Sequence, residues 1–394
     1  MGRGKSSAAI RYMNEHKGTK HFVYITPFLD EVSRVCEACG FNQPSGENTT
    51  KLAQLKHLIH SGQNIATTHA LFLLLDKECL NLISDKRYAL IIDESLPVIE
   101  RLNITSKDYC LLVEQLTESG DDNRLAWKDK EYTGRFSDYK ELADTGSLIA
   151  LDSALLNILN PSLLKAFDEI FMLTYLFDGQ YQKAYLDYYD FQYKVVGIEI
   201  DKEGHFFSDS PDAPPPLSLH GLVNIVSNQK RDLVGNKKYS LSKAWYAARS
   251  YSNPEIRTLR NGLRQFFQKE TDSDQSNRLW TCYKRDVDNL VEAQSGRFRS
   301  NFLQIGARAT NQYRDKINLA YMVNRFADPN IIKFFRAKGV VLDPDKFALS
   351  EMLQWLWRSA IRDDRPINVC IPSKRMRTLL CDWMNSIEKE GGAK

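Results

Sequence analysis

Apolar residues fall in short dense runs, separated by segments in which they recur at helical spacing. In the first half the runs at 21–25, 64–68, 88–92 and 169–174 read as strands. Helices are predicted at 6–16, 28–36, 52–59 and 71–75 between them. Residues 106–142 read as a polar helical and loop excursion, and 148–167 as a helix broken at Pro161. The stretch 193–200 alternates like a strand, and the prolines between Pro211 and Pro216 predict a stiff extended linker. The second half repeats the alternation. Strands are predicted at 222–226, 302–305 and 367–371, with helices at 240–269 (interrupted at Pro254), 321–326, 350–362 capped by Ser350, and 374–387.

Strands alternating with helices predict an α/β chain whose parallel sheets are covered on both faces. At 394 residues the chain has length for two domains. The change is placed close after Gln180, giving domains at 1–182 and 183–394. The first carries a short glycine-rich motif and an acidic strand end, the second a basic and aromatic excursion.

Composition is that of an ordinary globular protein, and no apolar stretch reaches the length of a membrane span. With scattered cysteines and no secretory apolar segment at its start, the chain reads as cytoplasmic. Cys36 and Cys39 have no second pair at zinc-site spacing and read as buried thiols of a helix. Between Lys230 and Arg314 basic residues outnumber acidic ones roughly two to one, with tyrosine, tryptophan and phenylalanine interleaved. That mixture suits either a nucleic-acid surface or an aromatic core under a solvated basic face.

Candidate chemistry gathers at the ends of the strands. Gly2, Gly4, Lys5, Ser6 and Ser7 read as the back half of a phosphate-binding loop running into a helix. The loop's first glycine, and the strand that would deliver it, would fall before Met1. Asp93-Glu94 closes the buried run 88–92, where a carboxylate needs a partner such as Mg²⁺. Thr26, Thr67 and Thr68 also fall at strand ends, where ligands of parallel sheets bind. Near the C-terminus, Gln354, Arg358 and Arg362 are spaced i, i+4, i+8, the spacing of one helix face.

In order, Gly4-Lys5-Ser6, Ile25-Thr26-Pro27, Thr67-Thr68-His69, Asp93-Glu94-Ser95, Leu173-Thr174-Tyr175, Ala309-Thr310-Asn311 and Gln354…Arg358 resemble the motifs of superfamily 2 DExD/H-box helicases. The flavour is that of divergent phage-encoded members. The resemblance implies two RecA-like domains with parallel sheets, the first strand of the first one missing, and ATP with Mg²⁺ between them. It implies that Gly2, Gly4, Lys5, Ser6 and Ser7 hold the nucleotide, that Ser6 and Asp93 hold Mg²⁺, and that Glu94 positions the attacking water. Arg358 would be the arginine finger, with Gln354 and Arg362 beside it. Thr26, Pro27, Thr68, Thr310 and Asn311 would lie along the nucleic acid, and Thr174 would couple hydrolysis to movement. The chain departs from the pattern at Trp357, where the family has glycine, and at Ile361, where it has the second arginine. The expected activity is ATP-dependent helicase or translocase action on single-stranded or duplex nucleic acid, DNA favoured. A nucleic-acid-binding protein with a degenerate, non-hydrolysing nucleotide site is the second reading, and a packaging-type motor ATPase the third.

Overall fold

Apolar runs buried along their whole length need cover on both faces, and their sheets are built accordingly. The computed structural model describes residues 4–46, 49–119, 123–152, 154–209, 219–271, 273–291, 296–306 and 311–392. Contacts divide the chain into two units. The N-terminal unit comprises the described residues of 4–209 and 327–342, and the C-terminal unit those of 219–326 and 343–392. The expected boundary at 182/183 falls inside the first unit, within the helix Tyr181–Tyr188.

In chain order the N-terminal unit carries β1 (His21–Thr26), β2 (Ile65–Thr68), β3 (Tyr88–Asp93), β4 (Ile99–Arg101), β5 (Thr117–Ser119) and β6 (Leu125–Trp127). Then come β7 (Leu148–Leu151), β8 (Ala154–Ile158), β9 (Glu169–Leu173), β10 (Gly197–Asp201) and β11 (Gly204–Ser208). The main sheet has the order β2-β1-β3-β9, parallel throughout. Helices α1 (Lys5–His16) and α2 (Leu29–Cys39) contribute Ala9, Met13, Val32, Val35 and Cys39 to a core shared with Phe22, Tyr24, Ala66, Ala89 and Ile91. Fully burying each larger aliphatic or aromatic side chain stabilises the fold by about 1.5–3 kcal/mol. Cys39 belongs to that core, and burial pushes the half-buried Cys36 thiol up to about 11.

Three features of this unit differ from the sequence expectation. The segment 148–167 is not a broken helix: β7 and β8 form an antiparallel pair, entered through Asp152 at φ 48°, and only Ser162–Lys165 is helical. Leucines on both sides of an apolar run fit a doubly packed strand as well as a helix, and pairing with β4 decided it. The excursion 106–142 contains the antiparallel pair β5–β6 over its own core of Leu112, Trp127, Phe136 and Leu148. Finally, the helix Pro329–Arg336 comes from beyond the C-terminal unit's third strand yet packs here. Phe334 stacks on Tyr188 at 4.4 Å, the Tyr181 and Phe335 rings lie 6.4 Å apart, and the Tyr181 hydroxyl accepts the Asp328 N–H at 2.9 Å.

The C-terminal unit adds β12 (Val223–Ile225), β13 (Arg278–Thr281), β14 (Asn318–Tyr321) and β15 (Ile367–Cys370), in the parallel order β12-β15-β14-β13. Residues 302–305 are no strand, only a single bridge from Phe302 to Trp280, and 318–321 is a strand where helix was expected to begin. Both β13 and β14 are four residues long, too short for their alternation to stand out from the pattern around them. The helix expected at 350–362 starts earlier, at Pro344 behind an Asp343 cap, and ends at Leu356. Ser350 is buried in mid-helix with its hydroxyl on the Phe347 carbonyl. Ser359 turns extended (ψ −167°) and donates to the Leu356 carbonyl at 2.6 Å, closing the helix there.

Candidate functional site

The parallel register of the first sheet aligns its strand ends. Thr26 pairs with Thr68 and Asp93 with Leu173, so Thr26, Thr68, Asp93 and Thr174 lie along one edge. At that edge α1 begins. Gly4 is its N-cap in the left-handed region (φ 73°), and its first turn, Lys5-Ser6-Ser7, contains no acidic residue and no side-chain cap. The exposed N–H groups and positive end of the helix dipole therefore suit an anion. A Cβ on Gly4 would lie 2.2 Å from the His205 ring carbon Cδ2, so glycine is required by backbone and neighbour alike.

Ser6 Oγ donates to Asp93 Oδ2 at 2.8 Å, joining two sequence features 87 positions apart. The Tyr24 hydroxyl donates to the same oxygen at 2.6 Å. Asp93 is only 7% exposed. Burial raises its pKa above the usual carboxylate value, while the hydrogen bonds from Tyr24 and Ser6 and the nearby Lys5 charge oppose the rise. Among the described residues no group of three or more His, Cys, Asp or Glu is arranged for a metal. A hydroxyl beside one buried carboxylate fits Mg²⁺, which keeps waters and shares its shell with substrate phosphates.

The other expected residues divide between the units. Glu94 follows Asp93 with φ 65° and is exposed. Thr26 is fully buried, and its Oγ1 has no hydrogen-bond partner among the described residues; Pro27 follows it, half-buried. Thr68 caps the single turn His69–Phe72 by accepting the Leu71 N–H at 3.3 Å. Thr174 Oγ1 donates to Gln180 Oε1 at 2.8 Å, and Ser95 Oγ donates to the same oxygen at 3.0 Å. Gln180 Nε2 then donates to the Tyr175 carbonyl at 2.7 Å, so one buried amide ties the end of β3 to the end of β9.

In the C-terminal unit, Arg358 stands beyond the helix end, and its Nε donates to the Gln354 carbonyl at 3.3 Å. Gln354 and Arg358 stay together; Arg362 does not share their face. It is exposed on the one-turn helix Ala360–Asp363, after the chain has broken at Ser359. Gly2 and Thr310 lie outside the described residues. Asn311 opens the turn Asn311–Tyr313, and its side chain lies outside them as well.

Part of the aromatic content of the basic stretch is interior. Tyr246, Phe266, Phe267 and Trp280 are fully buried, and Arg231 is buried on Glu270 at 2.9 Å and the Val226 carbonyl at 2.7 Å. Tyr239 and Tyr251 remain exposed, and Arg260 already covers the Tyr251 ring at 3.7 Å. Tyr24, Gln180 and His205 were not singled out from the sequence. Tyr24 had a signal, since a phenol inside an apolar strand must find a partner; Gln180 and His205 had none.

Fold and site together define an α/β protein of two parallel-sheet units, as the resemblance implies, with a hydroxyl–carboxylate pair at the strand ends of the first. The family description "YonV C-terminal Rossmann-like domain" matches residues 218–384, and "YonV middle domain" matches 99–157, the span from β4 to β8. The SPbeta prophage-derived uncharacterized protein YonV of Bacillus subtilis (strain 168) is 34% identical over 405 residues, covering 98% of this chain and 97% of that protein. The chain belongs to the YonV family. Among solved structures, apo XPD aligns with 97% of the chain and 98% of its own at 11% identity and a TM-score of 0.47. An XPD helicase aligns with 98% of the chain and 82% of its own at 13% identity and a TM-score of 0.45. At those scores the fold assignment stands on the two parallel sheets and the Rossmann-like family match. No described helix is long and apolar enough to cross a membrane.

Proposed function

We propose that the chain is a nucleoside-triphosphate-driven motor of the helicase or translocase type, using ATP with Mg²⁺ and acting on nucleic acid, DNA favoured. One observation carries this reading: the Ser6 hydroxyl and the buried Asp93 carboxylate meet at 2.8 Å, at the N-terminus of a helix that opens on Gly-Lys-Ser. A structural role alone would not call for a buried carboxylate at the open edge of a parallel sheet, because its desolvation is costly.

Ser6 and Asp93 would hold Mg²⁺, which when bound neutralises phosphate charge and orients the terminal phosphoryl group. The N–H groups of the first turn of α1 would bind the phosphate chain, and Lys5 would pair with its outer charges. Glu94, exposed next to Asp93, would orient water or take its proton. Thr174 would report the state of the site through Gln180 and Ser95, whose hydrogen bonds cross from β9 to β3. Arg358 with Gln354 is a candidate source of added positive charge, and Pro27, Thr68 and Asn311 are candidates for contacts along the strand; Thr26, fully buried, is not available for one.

The test is ATP hydrolysis by the full chain, with and without single-stranded DNA and RNA, beside Lys5→Ala and Asp93→Asn. Nucleic-acid-stimulated turnover lost in both variants is expected. Turnover equal in wild type and variants would overturn the reading. Salt-dependent DNA binding without any turnover would replace it with the non-hydrolysing alternative.

A further inference from the structure

Three tyrosines with no exposed surface donate their hydroxyls to backbone carbonyls: Tyr88 to Gln63 at 2.9 Å, Tyr185 to Leu159 at 3.0 Å and Tyr246 to Met322 at 2.7 Å. That is the ordinary way to satisfy a buried phenol. Tyr24 is equally buried but different. Its hydroxyl reaches Asp93 Oδ2 at 2.6 Å and stands 3.4 Å from Glu31 Oε1. Ser6 donates to that same Asp93 oxygen, so both side-chain donors converge on Oδ2. A hydrogen bond from a neutral donor to a carboxylate is short and strong, and two on one oxygen fix the plane of the group.

We propose that Tyr24 is a positioning residue of the cation site, tying down Asp93 Oδ2 so that Oδ1 is presented to the divalent ion that accompanies the nucleotide. The inference rests on the nucleotide-site reading above and adds a residue to it. Donors behind a metal-ligating group hold its orientation, and losing one commonly weakens metal binding by about 10–100-fold. Tyr24→Phe removes only the hydroxyl and leaves the ring in its place among Phe22, Val32 and Ile91.

The experiment titrates Mn²⁺ by electron paramagnetic resonance into the full chain with a non-hydrolysable ATP analogue. It compares wild type, Tyr24→Phe, Tyr88→Phe and Asp93→Asn, with analogue affinity in EDTA and thermal melting as companions. Tyr88→Phe is the matched control, since it deletes a buried hydroxyl from the same sheet that serves only the backbone. The expected result is Mn²⁺ binding weakened at least about tenfold by Tyr24→Phe, unchanged by Tyr88→Phe, with metal-free analogue affinity retained in both. Wild-type Mn²⁺ affinity in Tyr24→Phe, while Asp93→Asn loses it, would overturn the role of Tyr24 and leave the site intact. Equal weakening in both Tyr→Phe variants would overturn it too, because loosening of the sheet would then explain the effect. Undiminished Mn²⁺ binding in Asp93→Asn would remove the cation site itself, and with it both readings.

Discussion

The two sheets share strand number and parallel pairing but differ in the polar rows that cross them. In the N-terminal unit two hydrogen-bonded groups, Ser6 and Tyr24 on Asp93 and Ser95 and Thr174 on Gln180, stand at the carboxyl ends of the strands. In the C-terminal unit the polar row lies toward the amino ends. Asn224 donates to Asn368 at 2.8 Å, Asn368 to Asn318 at 2.8 Å, and Asn318 to Asn277 at 3.1 Å. Asn224, Asn368 and Asn318 stand in register on neighbouring strands, and Asn277 lies in the turn before β13. The carboxyl-edge cluster is centred on a carboxylate, a group whose burial is costly without a cation or strong donors. One sheet therefore uses its polar residues to hold strands together, and the other to assemble charge at the edge where ligands of parallel sheets bind.

The sharpest way to break this comparison is to remove the charge. Asp93→Asn is expected to lower any Mg²⁺-dependent hydrolysis by on the order of 100-fold, equivalent to about 3 kcal/mol, measured by phosphate release at saturating ATP. Gly4→Ala comes next. The left-handed backbone alone costs a non-glycine residue about 1–2 kcal/mol, and the new Cβ also meets His205. Nucleotide affinity should fall about tenfold or more, read by fluorescent-nucleotide titration, with melting lowered by the same strain.

On the other sheet, Asn368→Ala strips the middle of the asparagine row. It should destabilise the C-terminal unit by about 1–3 kcal/mol, seen in denaturant unfolding, while Mn²⁺ affinity stays at the wild-type value. A change in Mn²⁺ affinity there would show that the two polar rows are not separate in function. The smallest effect concerns pH. The Lys56 ammonium, helped by the Cys79 N–H, holds Asp76 down to about 2. A carboxylate depressed in the folded state contributes stability above its unfolded value near 3.8, and loses it as pH falls through about 2. Melting temperature should slip between roughly pH 4 and 2, less so in Asp76→Asn, with the separation between the two sheets' functions unaffected.

Much of the first sheet was legible because its strands are dense apolar runs with abrupt polar ends. β1, β2, β3 and β9 all stand within a residue or so of the expected positions, and the expected strand-end residues share one edge. The short strands β13 and β14 were not legible: four residues give too little pattern, and the apolar run through Met322 and Val323 after β14 suits a helix as well. The pair β7–β8 was misread because its leucines satisfy a helical period as readily as a doubly packed strand. Spacing alone put Arg362 beside Arg358, and Ser359 undid that by capturing the Leu356 carbonyl. The aromatic residues of 230–314 were ambiguous between core and surface, and burial assigned Tyr246, Phe266, Phe267, Trp280 and Phe298 to the core.

By itself the sequence determined which segments must be covered on both faces, where each strand gives way to polar residues, and that Gly-Lys-Ser and Asp-Glu stand at such transitions. These follow from local chemistry: apolar period, turn residues and the cost of a buried charge are all written in neighbouring positions. Only the tertiary structure decided that Ser6 and Tyr24 converge on one oxygen of Asp93, that Gln180 bridges two strand ends, and that the helix Pro329–Arg336 belongs with the N-terminal unit. Those facts depend on sheet order and register, which bring together residues tens or hundreds of positions apart. No local pattern carries that information, because the energy that selects it comes from the packing of the whole unit.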